Sequence, residues 1–443
     1  MKSRSRTVPT PVLLGLIALG GPLWLLSLVL PMGWLAAPAY WLLLALAALR
    51  ERSALPSSPD IEASRQLPRR FSMDSVQNIE IKLQNNSFRA ISLSLEDQPP
   101  TALQVLDPLP AGRVAPGEAV RAAYKVRPVR RGDHVFGELL LFLRLSKAGL
   151  LERRLAFDLQ DRCKIYPQFL QVAEYELLAK IDEREEVVRR PRRLRGDGTD
   201  FESLRQYVPG DDLRKVDWKA SARRGHLISR VFQVERGQQI AILLDCGRLM
   251  AAQIGEFARL EHAFNAAVML AYVAQKRGDS IALATFSNRI ESFLPPIRGH
   301  LIMPSVLESI YRVQLREVES DYWQVIAESM ALLQRRSLVL VLTDVLDSVS
   351  SSGLIANLMR ASSKHLVLCV VLSEPKVEET ADCVPRDTRG AFRKAAAAHF
   401  RIERQIALER MRSRGILVLE TDPRQLSIQL VRKYLEIRQA NLI

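Results

Sequence analysis

A segment near the middle of the chain places carboxylates, guanidinium groups and two large aromatic side chains between turn residues. This segment, residues 198–224, is called the polar belt, and its most distinctive members are Arg205, Tyr207, Pro209, Gly210, Asp211, Asp212, Arg214, Asp217, Trp218, Lys219 and Arg223. Adjacent carboxylates such as Asp211 and Asp212 could carry out general acid–base chemistry. Arg205 and Arg214 could hold a phosphate group through their several N–H donors. The polar belt is therefore a candidate catalytic or ligand-binding cluster.

The same residues also suit a structural role. Neighbouring residues in one short segment seldom point at one spot, and Pro209-Gly210-Asp211 is favourable turn chemistry. We therefore favour an ion-pair network that fastens the polar belt to the domain that follows, with Tyr207 and Trp218 buried beneath it. His226 is the only histidine near the belt, and a lone histidine is more often structural than catalytic.

Two further carboxylates stand at the ends of apolar runs. Residues 239–245 form one such run and end in Asp245, and residues 337–344 form another and end in Asp344. Uninterrupted apolar runs of this length are typical of buried parallel strands. Ligands of open α/β sheets bind outside the carboxyl ends of the strands, so both aspartates are candidates for a binding site. The alternative for Asp245 alone is a carboxylate that caps the following helix.

The elements that would position these acids alternate along the second half of the chain. Apolar runs predict strands at residues 239–245, 280–286, 337–344, 365–372 and 416–419, and the segments between them predict helices at residues 256–275, 323–333, 354–362, 391–412 and 424–438. Apolar strands joined by helices are typical of a doubly wound, mostly parallel sheet covered on both faces. We predict one α/β domain over residues 239–443.

Apolar residues alternate with polar ones in an earlier part of the chain. The pattern is clearest at residues 79–83, 91–95, 120–126 and 151–157. A period of two, with turn residues between the runs, is typical of antiparallel strands. We predict a small antiparallel β domain, resembling a β-sandwich, over residues 71–170. A linker, residues 53–70, would precede it, and a charged connector, residues 171–238, would follow it.

The N-terminal region is strongly apolar. Residues 7–49 contain no charged side chain, and about 20 apolar residues are enough for a helix to cross a bilayer. We therefore predict a transmembrane helical hairpin within residues 1–52, with spans near residues 12–30 and 34–49 and a reversal at residues 31–33. The alternative is a cleaved secretory signal peptide, which would leave the second apolar segment without a purpose.

Basic residues flank the predicted hairpin on both sides. They are Lys2, Arg4 and Arg6 before it and Arg50 and Arg52 after it. Because cytoplasmic flanks carry an excess of lysine and arginine, both termini are expected in the cytoplasm, with the hairpin in the bacterial inner membrane.

Composition limits the remaining classes of function. The chain has 63 Lys and Arg against 49 Asp and Glu, a formal net charge of +14, which suits nucleic acid, anionic lipid or an acidic protein. No zinc finger, recognition helix or aromatic RNA-binding pattern is found, so no specific nucleic acid is expected. The four cysteines lie far apart and are expected as reduced thiols. Motifs of serine hydrolases, P-loop nucleotide-binding proteins and zinc proteases are also missing.

The polar belt carries a resemblance to a known family. The sequence Phe201-Glu-Ser-Leu-Arg-Gln-Tyr-Val-Pro-Gly-Asp-Asp-Leu-Arg-Lys-Val-Asp-Trp-Lys-Ala-Ser-Ala-Arg223 closely resembles the signature of the bacterial domain-of-unknown-function 58 family. The predicted hairpin, the β domain with Arg130-Arg-Gly-Asp133 and the α/β domain follow the order of that family. The resemblance implies a von Willebrand factor A-like domain and an association with a MoxR-class AAA+ ATPase. It does not imply a reaction.

The resemblance also suggests where a metal could bind. A von Willebrand A-like site uses an Asp-x-Ser-x-Ser turn, a later hydroxyl and a second aspartate, which are oxygen donors suited to Mg²⁺. In this chain the turn begins at Asp245, but Gly247 and Leu249 occupy the two serine positions. Ser320 could supply the later hydroxyl, and Asp344 stands at the place of the second aspartate.

About half of the ligands are therefore missing, and we predict a degenerate site at Asp245, Ser320 and Asp344 that holds no metal or other cofactor. Mg²⁺ binding at these residues is the disfavoured alternative. Arg248 could take the place of the cation beside Asp245, because a guanidinium group pairs well with a carboxylate. The predicted binding surface consists of Asp245, Gly247, Arg248, Ser320 and Asp344.

Three hypotheses for function follow. The favoured one is a non-enzymatic, membrane-anchored adaptor whose cytosolic domain binds a protein partner, by resemblance the AAA+ ATPase, during assembly or maturation of other proteins. The alternative is an enzyme that acts on an anionic substrate through the acids and arginines of residues 198–224. The third is an electrostatic contact with nucleic acid or lipid through the basic run at residues 189–195, which is more often a solvated connector.

Overall fold

The computed structural model describes two compact units, residues 1–168 and residues 169–443. The described residues are 2–27, 33–109, 111–146, 148–168, 200–208, 216–233, 237–345, 351–440 and 442. The basic run at residues 189–195 lies outside them, as does most of the predicted connector. Five members of the polar belt are likewise outside the described residues, namely Pro209, Gly210, Asp211, Asp212 and Arg214.

The first unit is built mainly from short strands. In chain order its strands and helices are β1 Lys2–Pro9, α1 Pro11–Ser27, α2 Gly33–Ala54, β2 Ile61–Gln66, β3 Phe71–Ser72, β4 Gln77–Asn85, β5 Ile91–Asp97, β6 Leu103–Val105, β7 Gly112–Val114, β8 Ala119–Pro128, β9 Gly132–Val135, β10 Leu139–Arg144, β11 Leu151–Asp158 and β12 Arg162–Tyr166. They form sheets with the orders β1-β11-β10-β5-β7, β2-β4-β8-β6 and β3-β12-β9.

The two larger sheets of this unit share one hydrophobic core. Every strand pair in them is antiparallel. Alternate residues such as Ile79 and Ile81 of β4 are buried together with Leu93 of β5 and Leu141 of β10. Period-two burial of this kind follows from side chains that point to opposite faces of a strand. The prediction of a small antiparallel β domain is confirmed.

Two strands of this unit lie outside residues 71–170. Strand β1, predicted as the flank of a membrane helix, pairs with β11 from Lys2 opposite Asp158 to Pro9 opposite Leu151. Strand β2 falls within the predicted linker and pairs with β4. Its side chains alternate between buried and exposed, and Arg65 is one of the buried ones.

Arg65 can be buried because acidic side chains surround it. Its Nε donates to Asp97 Oδ2 at 3.0 Å, and its Nη1 donates to Asp161 Oδ2 at 2.9 Å. The ring of Phe136 lies 4.6 Å from the guanidinium carbon. Because this inward-facing residue is an arginine, the sequence of β2 does not alternate apolar and polar residues throughout. The sequence pattern therefore predicts a linker here and not a strand.

The helices α1 and α2 are apolar, as the sequence predicts, but neither matches a membrane span. Among the described residues no helix is both long enough and apolar enough to cross a membrane, so the predicted transmembrane hairpin is not supported. Helix α1 has 17 residues, fewer than the roughly 20 that a bilayer requires. Helix α2 has 22 residues, but its last turns contain Arg50, Glu51 and Arg52.

The ends of both helices are attached to the β sheets of the first unit. Thr10, just before α1, donates through Oγ1 to the carbonyl of Gly149 at 2.7 Å. Glu51 near the end of α2 accepts from the backbone N–H of Leu150 at 2.7 Å. The same loop of the β domain therefore contacts both helices.

The second unit alternates strands and helices. In chain order these are β13 Asp200–Gln206, α3 Trp218–Arg224, β14 Ile228–Gln233, β15 Gln239–Asp245, β16 Gln253–Ile254, β17 Phe257–Ala258, α4 Arg259–Lys276, β18 Ser280–Phe286, β19 Ile290–Ile297, α5 Ile302–Ile310, α6 Tyr322–Leu332, β20 Leu338–Thr343, α7 Ser352–Ser362, β21 Leu366–Leu372, α8 Pro375–Asp382, α9 Thr388–Ser413, β22 Leu417–Thr421 and α10 Leu426–Gln439.

A six-stranded sheet forms the centre of the second unit. Its strand order is β19-β18-β15-β20-β21-β22, and all of its pairs are parallel except β18 with β19. Residues of α6, α7 and α9 complete the core on one face, and α4, α5 and α10 contact strands of the same sheet. Since six consecutive residues of β15 are buried, and successive side chains point to opposite faces, both faces are covered. The predicted mostly parallel sheet is confirmed.

The connections of this sheet reverse direction between β15 and β20. The chain leaves β15 for β18 on one side, and later returns to β20 on the other side before it continues to β21 and β22. Such a switch point opens a crevice at the carboxyl ends of the two strands, where ligands of open α/β sheets bind.

Candidate functional site

The two strand-end acids lie at this switch point. Asp245 is the last residue of β15, and Asp344 directly follows β20. The two strands are hydrogen-bonded neighbours in parallel register. Both side chains are buried, so the structure brings the predicted acids to the same edge but removes them from solvent.

Asp245 is surrounded by neutral donors. Its Oδ1 accepts from the hydroxyl of Ser320 at 2.5 Å and from the backbone N–H of Gly247 at 2.8 Å. Its Oδ2 accepts from the hydroxyl of Thr343 at 2.6 Å and from that of Tyr322 at 3.0 Å. Each carboxylate oxygen therefore has two donors, and the donors come from the loop after β15, the loop before α6, the start of α6 and the end of β20.

Tyr322 is held as a proton donor by its surroundings. Burial, together with the neighbouring Asp245 carboxylate, raises the pKa of the Tyr322 hydroxyl well above its ordinary value. The phenol therefore stays protonated at neutral pH. Tyr322 and Thr343 escape prediction from the sequence because one begins a helix and the other lies within an apolar strand, with no spacing that links either to Asp245.

The Ser320 hydroxyl lies so close to position 247 that only a glycine fits there. A Cβ atom added to Gly247 would lie 2.2 Å from Ser320 Oγ and 3.1 Å from Asp245 Oδ1. A side chain and the Ser320 hydroxyl cannot occupy this space together. The Ser320 hydroxyl therefore occupies the space beside Asp245 that a side chain at position 247 would need.

The loop that carries Ser320 covers the Asp245 turn. The backbone N–H of Arg316 donates to the carbonyl of Cys246 at 2.8 Å, and that of Arg248 donates to the carbonyl of Val318 at 2.9 Å. The backbone N–H of Asp321 donates to the carbonyl of Ser287 at 3.1 Å. These bonds attach the loop on both sides of Asp245 and keep the carboxylate away from solvent.

Asp344 has cationic partners instead. Arg259, the first residue of α4, pairs with its Oδ2, and Nη1 of Arg404 from α9 lies 3.2 Å from its Oδ1. Arg259 also pairs with Glu374, and Nε of Arg404 lies 3.2 Å from Glu420 Oε1. This set is called the arginine network, and it joins residues that follow or belong to three neighbouring strands.

Burial sets the electrostatics of the arginine network. It raises the pKa of the Asp344 carboxyl above its ordinary value, while Arg404 and Arg259 act in the opposite direction. Burial, with Asp344 nearby, also raises the pKa of the Cys369 thiol to about 12. Cys369 therefore stays a protonated, unreactive thiol at neutral pH.

The arginines that contact a strand-end acid are not the one that the sequence suggests. Arg248 is exposed at the start of a 3-10 turn, and the arginines that contact a strand-end acid are Arg259 and Arg404. They contact Asp344 rather than Asp245. Arg259 lies 85 positions from Asp344 in the chain, so only the packing of α4 and α9 against the sheet could reveal them.

The donor set of this site does not fit a divalent cation. Both oxygens of Asp344 face guanidinium groups, which would repel a second cation, and both oxygens of Asp245 accept from hydroxyl or N–H donors. Within the described parts of the chain no group of three or more His, Cys, Asp or Glu side chains is placed to hold a metal.

The described part of the polar belt has structural contacts. Asp217 caps α3, because its Oδ1 accepts from the backbone N–H of Ala220 at 2.9 Å. The Ser221 hydroxyl donates to the carbonyl of Asp217 at 2.7 Å and accepts from the backbone N–H of Ile228 at 2.8 Å. These bonds join α3 to β14, so Asp217 acts as a helix cap in this structure.

Two aromatic residues of the polar belt are less buried than predicted. Trp218 is 65% exposed, and Tyr207 is half-buried. The prediction that Trp218 is buried is wrong, because the first turn of α3 directs its side chain to the surface. Lys219 and Arg223 are also exposed on α3, whereas Arg205 is half-buried in β13.

Comparison with known proteins gives a family match. Residues 203–399 match the model of a family described as "Protein of unknown function DUF58". The matched region contains most of the polar belt segment that resembles this family, and both strand-end acids. The family description names no activity.

A curated relative is similar over a shorter region. It is "Uncharacterized protein YeaD" from Bacillus subtilis strain 168, 30% identical over 123 residues. These residues are 28% of this chain and 30% of the relative, so the match spans less than a third of the relative's length.

Several solved structures are partly similar. An aerotolerance-related membrane protein from Bacteroides fragilis covers 46% of this chain and 100% of its own, with 17% identity and a TM-score of 0.32. BatB from Bacteroides thetaiotaomicron covers 45% and 99%, again with 17% identity and a TM-score of 0.32. Salmonella alpha-2-macroglobulin covers 24% of this chain and 7% of its own, with 17% identity and a TM-score of 0.19.

Proposed function

We propose that the second unit is a non-enzymatic protein-binding module that docks a partner at the switch-point edge without a divalent cation. The observation that carries this proposal is that other groups of the chain already bind the carboxylate oxygens of both acids. Asp245 accepts four hydrogen bonds, and Asp344 pairs with two arginines. A carboxylate in this state is a structural group rather than an acid or base for catalysis.

The contact residues would then be exposed neighbours of the buried acids. We call Arg248, Val318, Trp323 and Arg360 the docking edge. Trp323 is 56% exposed and directly follows Tyr322, and the guanidinium carbon of Arg360 lies 4.2 Å from its ring centroid. Tryptophan and arginine are enriched among residues that dominate binding energy in protein interfaces. The proposed surface therefore shifts from the acids to the side chains around them.

The proposed partner comes from the resemblance described for the polar belt. That resemblance implies a MoxR-class AAA+ ATPase, and we propose that the chain acts with such an ATPase as an adaptor in assembly or maturation of other proteins. A von Willebrand A-like fold is part of the same proposal. The support for this fold is the mostly parallel sheet with two acids at its switch point.

The proposed location rests on a different surface. Large apolar side chains of α1 and α2 are exposed, including Leu14, Leu19, Trp24, Leu42, Leu43, Leu46 and Leu49. We propose that they hold the chain at the bacterial inner membrane, with both termini in the cytoplasm. Flotation of the full chain with phosphatidylglycerol vesicles tests this. Leu42→Asp with Leu46→Asp should reduce flotation, whereas the exposed Val76→Asp should not, and equal flotation of all forms would refute the proposal.

The docking proposal is tested by crosslinking the full chain to the MoxR-class ATPase of the same organism. Trp323→Asp should reduce crosslinked complex at least tenfold, and Arg248→Glu should reduce it less. Trp218→Asp is the matched control, since Trp218 is similarly exposed but lies in the polar belt. Addition of EDTA should leave the yield unchanged. Equal yields from Trp323→Asp and Trp218→Asp, or loss of complex in EDTA, would contradict the proposal.

A further inference from the structure

The loop between β4 and β5 holds a large aromatic side chain in solvent. This loop, residues 86–90, connects the two larger sheets of the first unit and is called the Phe88 loop. Phe88 is 98% exposed, and Arg89 beside it is also exposed. Because single apolar side chains are common on protein surfaces, exposure alone does not identify a binding site. The order of the loop and its position in the fold decide the interpretation.

Hydrogen bonds to one buried side chain fix the Phe88 loop. Asn85, the last residue of β4, is 1% exposed, and its Nδ2 donates to the carbonyl of Arg89 at 2.9 Å. Its Oδ1 accepts from the backbone N–H of Ser87 at 3.1 Å and from the Ser87 hydroxyl at 2.6 Å. Both chain neighbours of Phe88 are therefore held by Asn85. A side chain displayed by an ordered loop can enter another phase or surface with little loss of loop entropy.

The Phe88 loop lies at the end of the β domain where β1 leads into α1. Strand β1 ends at Pro9, opposite Leu151 of β11. When the registers of β11 with β10 and of β10 with β5 are extended by one or two residues, Ile91 at the start of β5 falls at the same level. Strand β5 is the third strand from β1, a distance of about 14 Å. Phe88 precedes Ile91 by three residues and extends beyond this level by up to about 10 Å.

Both apolar helices leave the β domain at this end. Helix α1 follows β1 directly, and Glu51 near the end of α2 accepts from the backbone N–H of Leu150, just before β11. The main contacts of the helices with strands are those of α1 with β1 and of α2 with β11. A bilayer that receives the exposed apolar side chains of α1 and α2 would therefore lie next to the Phe88 loop.

A bilayer suits this surface better than a protein does. The exposed neighbours of Phe88 in the loop, Asn86 and Arg89, are polar. A stable protein interface buries about 800 Å² on each partner, which one ring on a polar loop does not provide. Insertion of one ring into the boundary between headgroups and acyl chains needs no such area when other segments already hold the chain at the membrane.

The charges at this end have both signs. Arg50, Arg52 and Arg89 are exposed, and Glu118 is exposed in the loop whose backbone bonds to Asn85. Arginines beside an anionic bilayer are attracted to lipid phosphates, whereas Glu118 is repelled. Burial of the Phe88 ring should therefore contribute more to membrane binding than the charge of Arg89.

We propose that the Phe88 loop is a second membrane contact, in which the Phe88 ring inserts between lipid headgroups and the Arg89 guanidinium pairs with a lipid phosphate. This inference rests on the proposed attachment of α1 and α2 to the membrane. The Phe88 loop is separated from β1 by three strand spacings, so the second contact restricts rotation of the β domain about the two helices.

A fluorescent label at position 88 measures the insertion directly. Phe88→Cys is prepared in the full chain with Cys383→Ser, since Cys383 is exposed and the other three cysteines are buried. An NBD label at position 88 should increase in fluorescence on phosphatidylglycerol vesicles and be quenched by lipids that carry a spin label near the headgroup. Val76→Cys is the matched control. Val76 is 58% exposed at the opposite end of β4, about 30 Å away, so its label should show neither change.

Substitutions measure the contribution of each side chain. In flotation with increasing phosphatidylglycerol, Phe88→Asp should weaken the apparent affinity about tenfold, because the ring is no longer buried. Phe88→Trp should retain the affinity, and Val76→Asp should not change it. Arg89→Gln should weaken it about threefold, and this loss should disappear with phosphatidylcholine vesicles. Circular dichroism checks that each variant is folded.

The outcomes separate this proposal from the attachment by α1 and α2. If the full chain floats and Leu42→Asp with Leu46→Asp reduces flotation, but Phe88→Asp has no effect and the label at position 88 is not quenched, the Phe88 contact is refuted and the attachment stands. If the full chain does not float, both are refuted. Equal quenching at positions 88 and 76 would also overturn the proposal. A label at position 88 that becomes buried without vesicles as protein concentration rises would assign the loop to a second copy instead.

Discussion

Asp245 and Asp344 lie at the ends of adjacent parallel strands, but the chain stabilises them in different ways. The carboxylate of Asp245 accepts from three hydroxyl groups and one backbone N–H. The carboxylate of Asp344 faces Arg259 and Arg404. Neutral donors solvate a buried charge without cancelling it, whereas guanidinium groups cancel it. Two acids with the same position in the sheet therefore have different electrostatic states.

The difference supports the proposal that this edge of the sheet binds a partner without a metal. In the arrangement implied by the family resemblance, one cation would sit between the two acids and several hydroxyls. In this structure the hydroxyls donate hydrogen bonds to Asp245, and Arg259 and Arg404 supply positive charge beside Asp344. The positive charge comes from α4 and α9, which also form the layers on the two faces of the sheet. Stability of the unit should therefore depend more on Asp344 than on Asp245.

The largest effect is expected when the arginine network is broken. Among the described residues, Arg259→Met leaves Asp344 with one cationic partner and Glu374 with none, and breaking a buried ion pair typically costs about 3–5 kcal/mol. Urea unfolding followed by circular dichroism measures this change. The control is Arg401→Met, because its exposed pair with Asp382 should contribute only about 0–1 kcal/mol. Equal effects of the two substitutions would contradict the role of the network.

A smaller effect is expected when one hydroxyl around Asp245 is removed. Thr343→Val keeps the shape of the side chain but deletes its donor to Asp245, which should cost about 1–3 kcal/mol. Thr285→Val is the matched control. Thr285 is buried in the neighbouring strand β18, and its hydroxyl has no hydrogen-bond partner among the described residues. Its replacement should be neutral or stabilising, and a loss as large as that of Thr343→Val would refute the assignment.

The close approach of Gly247 and Ser320 allows a test of energetic coupling between the two positions. The expected loss of stability is similar to that of Thr343→Val, or smaller. Gly247→Ala places a methyl group against Ser320 Oγ, and overpacking of this kind costs about 1–3 kcal/mol. Ser320→Ala removes the oxygen, so the double variant should lose less stability than the sum of the single variants. Additive losses in urea unfolding would mean that the two positions do not share this space.

Much of the sheet could be predicted from the sequence, because buried parallel strands have uninterrupted apolar runs. Asp245 and Asp344 could be found for the same reason, since each follows such a run. Their partners could not. Arg259 and Arg404 are ordinary charged residues of helices, and only the packing of those helices directs them to Asp344.

In the first unit, two strands could not be predicted from the sequence pattern. Strand β2 alternates buried and exposed positions, but one of the buried positions is Arg65, whose charge is compensated by Asp97 and Asp161. A pattern based on apolar residues cannot represent a buried ion pair. Strand β1 cannot be predicted in the same way, because Lys2, Arg4 and Arg6 match the basic flank of a membrane helix as well as they match an edge strand.

The most direct test of the central claim is calorimetric titration of Mg²⁺ and Mn²⁺ into the full chain and into Asp245→Ala. No saturable heat is expected in either protein, since Arg259 and Arg404 already pair with Asp344 and three hydroxyls and a backbone N–H already donate to Asp245. Saturable binding in the micromolar range that Asp245→Ala abolishes would contradict that claim.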